Sequence, residues 1–152
     1  MTALDKIQDW VKTFPQFDVL SAFSVDYTSA APANGGLMPS GLVEISRAED
    51  ILGNVTVTNQ YNFTLYFVFL KAPGDDVGAE ENAQWLMNFQ DWVQEQSVTG
   101  EAPVFGDRPR SEIIRAQNGV LLETDNEGTA VYTVNLSVQF MKNYKEKSEW
   151  LI

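Results

Sequence analysis

Apolar and polar residues alternate along this chain with two different periods, and the change of period marks out its elements. From Ala3 to Thr13 the apolar residues Leu4, Ile7 and Val11, with Phe14 just beyond, recur at helical spacing and form one stripe. Thr2 stands where an N-cap belongs, Asp5 follows three residues later, and Pro15 stops the helix. Trp10 flanks the stripe and is placed either to pack on the core or to meet a partner. Period-two patterning then predicts a strand over Phe17 to Tyr27, with Val19, Phe23 and Val25 half-buried. Residues Thr28 to Ser40 have the Ala, Pro, Gly and Asn content of a long mobile loop, either passive or an arm between subunits.

A short strand is expected from Leu42 to Arg47, followed by a turn and Gly53. A pair of strands comes next, one opening at Val55-Thr56-Val57 and one running from Tyr61 to Leu70. In the second, Phe63, Leu65, Phe67 and Phe69 point one way and Tyr66, Val68 and Leu70 the other. With both faces apolar, that strand is either central and covered twice or turns one face to another copy. Lys71 to Gly78 reads as a loop, and Glu80-Glu81 suit the first turn of a second helix. Trp85, Leu86, Phe89, Trp92 and Val93 give that helix a wide apolar stripe. The tetrapeptide Gln-Asp-Trp-Val occurs in both helices, at Gln8–Val11 and Gln90–Val93.

After a loop closed by Gly100 and Pro103, the segment Asn118 to Phe140 reads as a hairpin turned at Asp125–Gly128. Tyr132, Val134, Leu136, Val138 and Phe140 alternate with Thr133, Asn135, Ser137 and Gln139, so one face meets the core and one meets water or a polar interface. The expected fold is α+β, a twisted, mainly antiparallel sheet of four to six strands with both helices packed on one face. The expected core is Leu4, Ile7, Val11, Phe89, Trp92, Val134, Leu136 and Val138. A single domain of residues 1–152 accommodates all of it, with a mobile loop at 28–40 and a C-terminal tail at 142–152.

Charge narrows the partners. Ten basic against 21 acidic side chains leave a net charge of −11, which disfavours binding to nucleic acid phosphates or anionic membranes. A wall past which DNA slides tolerates such charge, and so does an ordinary acidic protein. There is no cysteine, hence no disulfide framework, and the N-terminal MTALDKIQDW lacks the pattern of a secretory signal. An aqueous, cytoplasmic setting is expected.

Catalytic chemistry is hard to find. Histidine is absent, Asp75-Asp76 and Glu80-Glu81 have the setting of solvated charge, and Asn34-Gly35-Gly36 lacks the Lys-Ser/Thr of a phosphate loop. No catalytic residue, cofactor or metal site is expected, and Arg108 and Arg110 are expected to meet Asp or Glu of their own or a neighbouring chain.

The N-terminal WVKTFPQFD (Trp10–Asp18), DWVQEQ (Asp91–Gln96), the loop with Gly100 and Pro103, and the NGVLLETDNEGTAVYTVNLSVQF hairpin together resemble the minor capsid or tail-terminator-like proteins of long-tailed bacteriophages. The resemblance spans most of the chain apart from the middle loops and is one of pattern. It implies a virion structural protein, assembled in the host cytoplasm, that forms a ring of six copies at the head-proximal end of the tail tube. Its partners would be copies of itself, the tail tube protein and a head-completion or connector protein, with DNA passing through the lumen unread and no membrane involved. A head-completion, neck or minor capsid position is the neighbouring alternative; a small-ligand or peptide-binding α+β module is the distant one. Interface candidates are Met38, Phe63, Phe67, Arg108, Arg110, Lys145, Lys147, Trp150, Leu151 and Ile152, the last three as an apolar tip expected to dock on its own domain or on an adjacent subunit.

Overall fold

In the computed structural model, which describes residues 2–25, 33–70, 76–108, 110–124 and 128–145, helix α1 spans Ala3–Val11 and begins as its sequence dictates. The Asp5 N–H donates to Thr2 Oγ1 at 3.2 Å and the Thr2 N–H donates to Asp5 Oδ2 at 3.0 Å, a reciprocal capping box. The helix stops two residues earlier than expected, and Phe14 still turns into the core.

The strand expected over Phe17 to Tyr27 is mostly something else. Phe17–Val19 is one turn of 3₁₀-helix, and only Ala22–Val25 is strand (β1); Tyr27 lies outside the described residues. The loop expected at 28–40 is corrected as well. Residues 28–32 lie outside the described set, but Asn34–Glu49 is one strand, β2, which absorbs the short strand expected at Leu42 to Arg47. Gly35 is in that strand for lack of room: a Cβ there would sit 2.9 Å from the Phe23 ring. Pro39 is accommodated beside a register shift between Pro39 and Gly41.

The expected pair of strands at 55–57 and 61–70 is one continuous strand, β3 (Val55–Leu70). The polar run Thr58-Asn59-Gln60 is no break, because it alternates faces like the rest. Helix α2 (Asp76–Thr99) starts inside the expected Lys71–Gly78 loop, which moves Glu80 and Glu81 to its second turn. Gly100, at φ 76°, ends it. Strand β4 (Ile113–Thr124) begins before Asn118, where a φ of 58° and a register shift bend it; β5 is Thr129–Tyr144. Lys142 to Tyr144, expected in a tail, therefore belong to the sheet. Of the hairpin turn, Asp125 to Glu127 lie outside the described residues and Gly128 takes φ 92°.

The five strands are ordered β1-β2-β3-β5-β4, antiparallel throughout except for the parallel β1·β2 pair. Both helices cover one face. Odd-numbered β3 residues Phe63, Leu65, Phe67 and Phe69 meet Ile7 and Val11 of α1, Leu86, Phe89 and Val93 of α2, and Val134, Leu136 and Val138 of β5 in one core. Leu4 and Trp92, expected inside, are only partly buried against that core.

Candidate interaction surfaces

Two surfaces stand apart from this core. The first is an arm. β3 and β5 pair in register from Leu70↔Thr129 to Val55↔Tyr144, but β4 accompanies β5 only as far as Ile113↔Gln139. Beyond that level the sheet continues as β2, β3 and β5. The outer side of β5 is closed there by the loop before β4: the Asp107 N–H donates to Met141 O at 2.9 Å, and the Asn143 N–H donates to Asp107 Oδ2 at 2.7 Å.

The outer side of β2 is not closed by any described strand. β1 pairs only with Asn34 to Leu37, and among the described residues no strand pairs with the edge from Gly41 to Glu49. Leu42, Val43 and Ile45 on that stretch are about half exposed. At its tip, Ile51 is 102% and Leu52 66% exposed. The tip is nevertheless held rigidly: Asp50 Oδ1 accepts from the Leu52 and Asn54 N–H groups at 2.8 and 2.9 Å, and Gly53 supplies φ 84°. Those donors hold the Asp50 carboxyl below its ordinary pKa, the Asn54 N–H having the largest effect.

The second surface is a groove along α2 and β4. One part, of about 480 Å³, lies between Asp91, Gln94, Ser97 and Val98 of α2 and the start of β4; a second, of about 330 Å³, lies between Ala79, Ala83 and Met87 of α2 and Leu121. Gln90 lines both, and its side chain, reaching from α2 to the Ala116 carbonyl, stands between them. The edge of β4 is covered from α2: Ser97 Oγ accepts from the Ile114 N–H at 3.1 Å, and Gln90 Nε2 donates to the Ala116 carbonyl at 3.2 Å. A side chain can therefore settle in the groove, while a strand cannot add at those two backbone groups.

The sheet face away from the helices carries hydroxyls and amides. Gln139 Nε2 donates to Gln60 Oε1 at 3.1 Å, Gln60 Nε2 to Asn62 Oδ1 at 2.7 Å, and Thr56 Oγ1 to Asn143 Oδ1 at 3.1 Å. The first and third of these bonds cross between strands and the second runs along β3; Arg115, paired with Ser137, adds a charge to the same face.

The expected interface residues divide among these places. Met38 is on the open face of β2, partly exposed. Phe63 and Phe67 are corrected: at 4% and 0% exposure they belong to the core, since the face of β3 that carries them lies under the helices. Arg108 and Arg110 are exposed and form no ion pair among the described residues, where Arg47–Glu44 is the one salt bridge. Arg110 instead packs on Gly100 and reaches the Thr99 carbonyl at 3.5 Å, a cation at the C-terminal end of α2. Lys145 is exposed at the end of the arm; Lys147, Trp150, Leu151 and Ile152 lie outside the described residues.

The exposed tip Ile51-Leu52 was not singled out from sequence. Its signal was present, as two large apolar residues between Asp50 and Gly53 in a turn. Among the described residues no cluster of three or more Asp, Glu, His or Cys could hold a metal, and no helix is long and apolar enough to cross a membrane. No known protein family and no curated protein matches the chain.

Proposed function

We propose that this chain is a virion structural subunit of a long-tailed bacteriophage, a tail terminator that forms a ring of six copies at the head-proximal end of the tail tube and joins it to the head connector. The observation that carries the reading is the arm: a β2 edge from Gly41 to Glu49 that is unpaired among the described residues, ending in a rigid tip with exposed Ile51 and Leu52. An open strand edge with exposed apolar side chains is a template for association. Register shifts at Pro39/Gly41 and Glu44/Ser46 and the surface Arg47–Glu44 pair restrict which partner fits it.

The arm and the α2 side of the body are different surfaces. A contact between them is heterologous, and such a contact closes into a ring or propagates as a filament. The sheet face away from the helices, rich in amides and hydroxyls and with few cations, suits a surface past which DNA moves without sticking.

A head-completion or neck position uses the same geometry and is the neighbouring reading. Loss of the gene separates the assignment from a ligand-binding module. A terminator predicts tailless or overlong-tailed particles, and normal virions would contradict it.

A further inference from the structure

The sheet has two open edges, and each is blocked at one end. On β2, strand β1 occupies the outer side from Asn34 to Leu37, which leaves Gly41 to Glu49 without a strand partner there among the described residues. On β4, the Ser97 and Gln90 side chains take the Ile114 N–H and the Ala116 carbonyl, and among the described residues no strand pairs with the outer side of Gln117 to Thr124. Leu42, Val43, Val120 and Leu121 on these stretches are each about half exposed. An edge that leaves apolar side chains in water and its backbone unpaired is a template for another strand.

Direction makes the two edges complementary. Three antiparallel steps separate β2 from β4, so they run oppositely within one sheet. A second copy set beside the first, with its helices on the same side, therefore brings its β4 antiparallel to the first copy's β2.

Register makes the fit specific. Leu42 lies level with Tyr61 of β3 and Val43 with Gln60. Leu121, through Tyr132, lies level with Phe67, and Val120, through Thr133, with Tyr66. Both pairs are offset by the same six residues of β3, 61 to 67 and 60 to 66. A single displacement of the second copy, about 20 Å along the strands at about 3.4 Å per residue, sets Leu42 against Leu121 and Val43 against Val120. The offset is even, as the pleat demands: Leu42 and Leu121 fall on the helix side with Tyr61 and Tyr132, and the two valines on the other face. Five strands about 4.8 Å apart are about 24 Å wide, so this step per copy inclines the strands by about 40°, inside the roughly 35–45° of closed barrels.

We propose that β2 of one copy, from Gly41 to Ser46, pairs antiparallel with β4 of a second copy, from Gln117 to Glu123, with Leu42 opposite Leu121 and Val43 opposite Val120. The contact is heterologous and joins the sheets of neighbouring copies edge to edge. It rests on the ring reading and deepens it, by naming the surface that covers the arm.

Thiol cross-linking tests the joint, and the chain has no cysteine of its own to confuse the result. Directly opposed residues have Cβ atoms about 4.5–5.5 Å apart, within reach of a short thiol-to-thiol cross-linker. Full chains carrying Val43→Cys, mixed in concentrated solution with full chains carrying Val120→Cys, are expected to cross-link roughly tenfold or more faster than either variant alone. Leu42→Cys with Leu121→Cys is the second pair should either valine variant fail to fold. No mixed cross-link, or Val43→Cys chains that link to each other as fast as in the mixture, would overturn the joint. Val43→Lys, melting normally, is expected to weaken self-association roughly tenfold or more, and unchanged association would overturn the joint too. A chain carrying both Val43→Cys and Val120→Cys separates this joint from the ring. Cross-linked products that close at six copies support both; open chains that grow past six keep the joint and reject the ring; six-fold rings that do not cross-link keep the ring and reject the joint.

Discussion

The indoles of Trp10 and Trp92 stack with ring centroids 4.7 Å apart and planes 24° from parallel. Each tryptophan is the third residue of a Gln-Asp-Trp-Val tetrapeptide, and the fourth residues, Val11 and Val93, are both fully buried. The repeated words thus face each other across the α1–α2 contact. Trp10 Nε1 donates to Gln96 Oε1 at 3.1 Å, which satisfies the polar edge of a ring otherwise taken up by packing.

Trp92 is only half-buried, so Trp92→Ala should cost less than full core truncation, about 2–3 kcal/mol against about 3–5 kcal/mol for Phe89→Ala. Trp10→Ala and Trp92→Ala should be non-additive, with a coupling of about 0.5–1.5 kcal/mol from the lost stack. Chemical denaturation of the two single variants and the double variant measures it. Strict additivity would mean that the rings do not support each other.

Glu112 is buried at 4% exposure, and its Oε1 accepts from the Phe105 and Gly106 N–H groups at 2.9 and 3.1 Å. It fastens the loop that covers the outer side of β5. Glu112→Ala leaves two donors unsatisfied and should cost about 1–3 kcal/mol, with Glu112→Gln milder because an amide oxygen still accepts. Equal melting temperatures for the two variants would contradict this.

Gly106 and Gly119 should respond differently to alanine. A Cβ on Gly106 would collide with the Met141 carbonyl, which is backbone within the sheet; on Gly119 it would meet the end of the Gln90 side chain, which can turn aside. Gly106→Ala should lower the melting temperature clearly and Gly119→Ala only slightly. The reverse order would show that the loop at 106 yields more easily than a rotamer.

At the arm tip, the N–H groups of Asn54 and Leu52 favour ionised Asp50, so its folded pKa lies below the value of about 3.9 that it has unfolded. The resulting stabilisation is complete above that unfolded value and is lost as pH falls through the folded one. NMR titration of the Asp50 carboxyl should give a midpoint below the ordinary aspartate value, with protection of the Leu52 amide fading in the same acid window. A midpoint at or above the ordinary value would mean that the tip is not held this way.

What was legible in the sequence was what depends on local period. The capping box at Thr2 and Asp5, the stripe of α2, and the alternation from Tyr132 to Phe140 all reappear, because each is set within a few residues. Strand extent was not legible. Asn34-Gly35-Gly36 has loop composition, yet Gly35 belongs to a strand because Phe23, Leu20 and Phe67 crowd it from afar. The same limit hid the arm and the groove. Nothing local says that β4 stops at the level of Gln139 while β2, β3 and β5 continue, and the groove exists only where α2 meets β4.

Cryo-EM of the intact head–tail connector tests the central claim most directly. The expected map contains this chain as a closed ring of six copies at the head-proximal end of the tube, each β2 edge from Gly41 to Glu49 and each Ile51-Leu52 tip in contact with a neighbour. A single unringed copy, or a ring in which those edges and tips stand free in solvent, would contradict it.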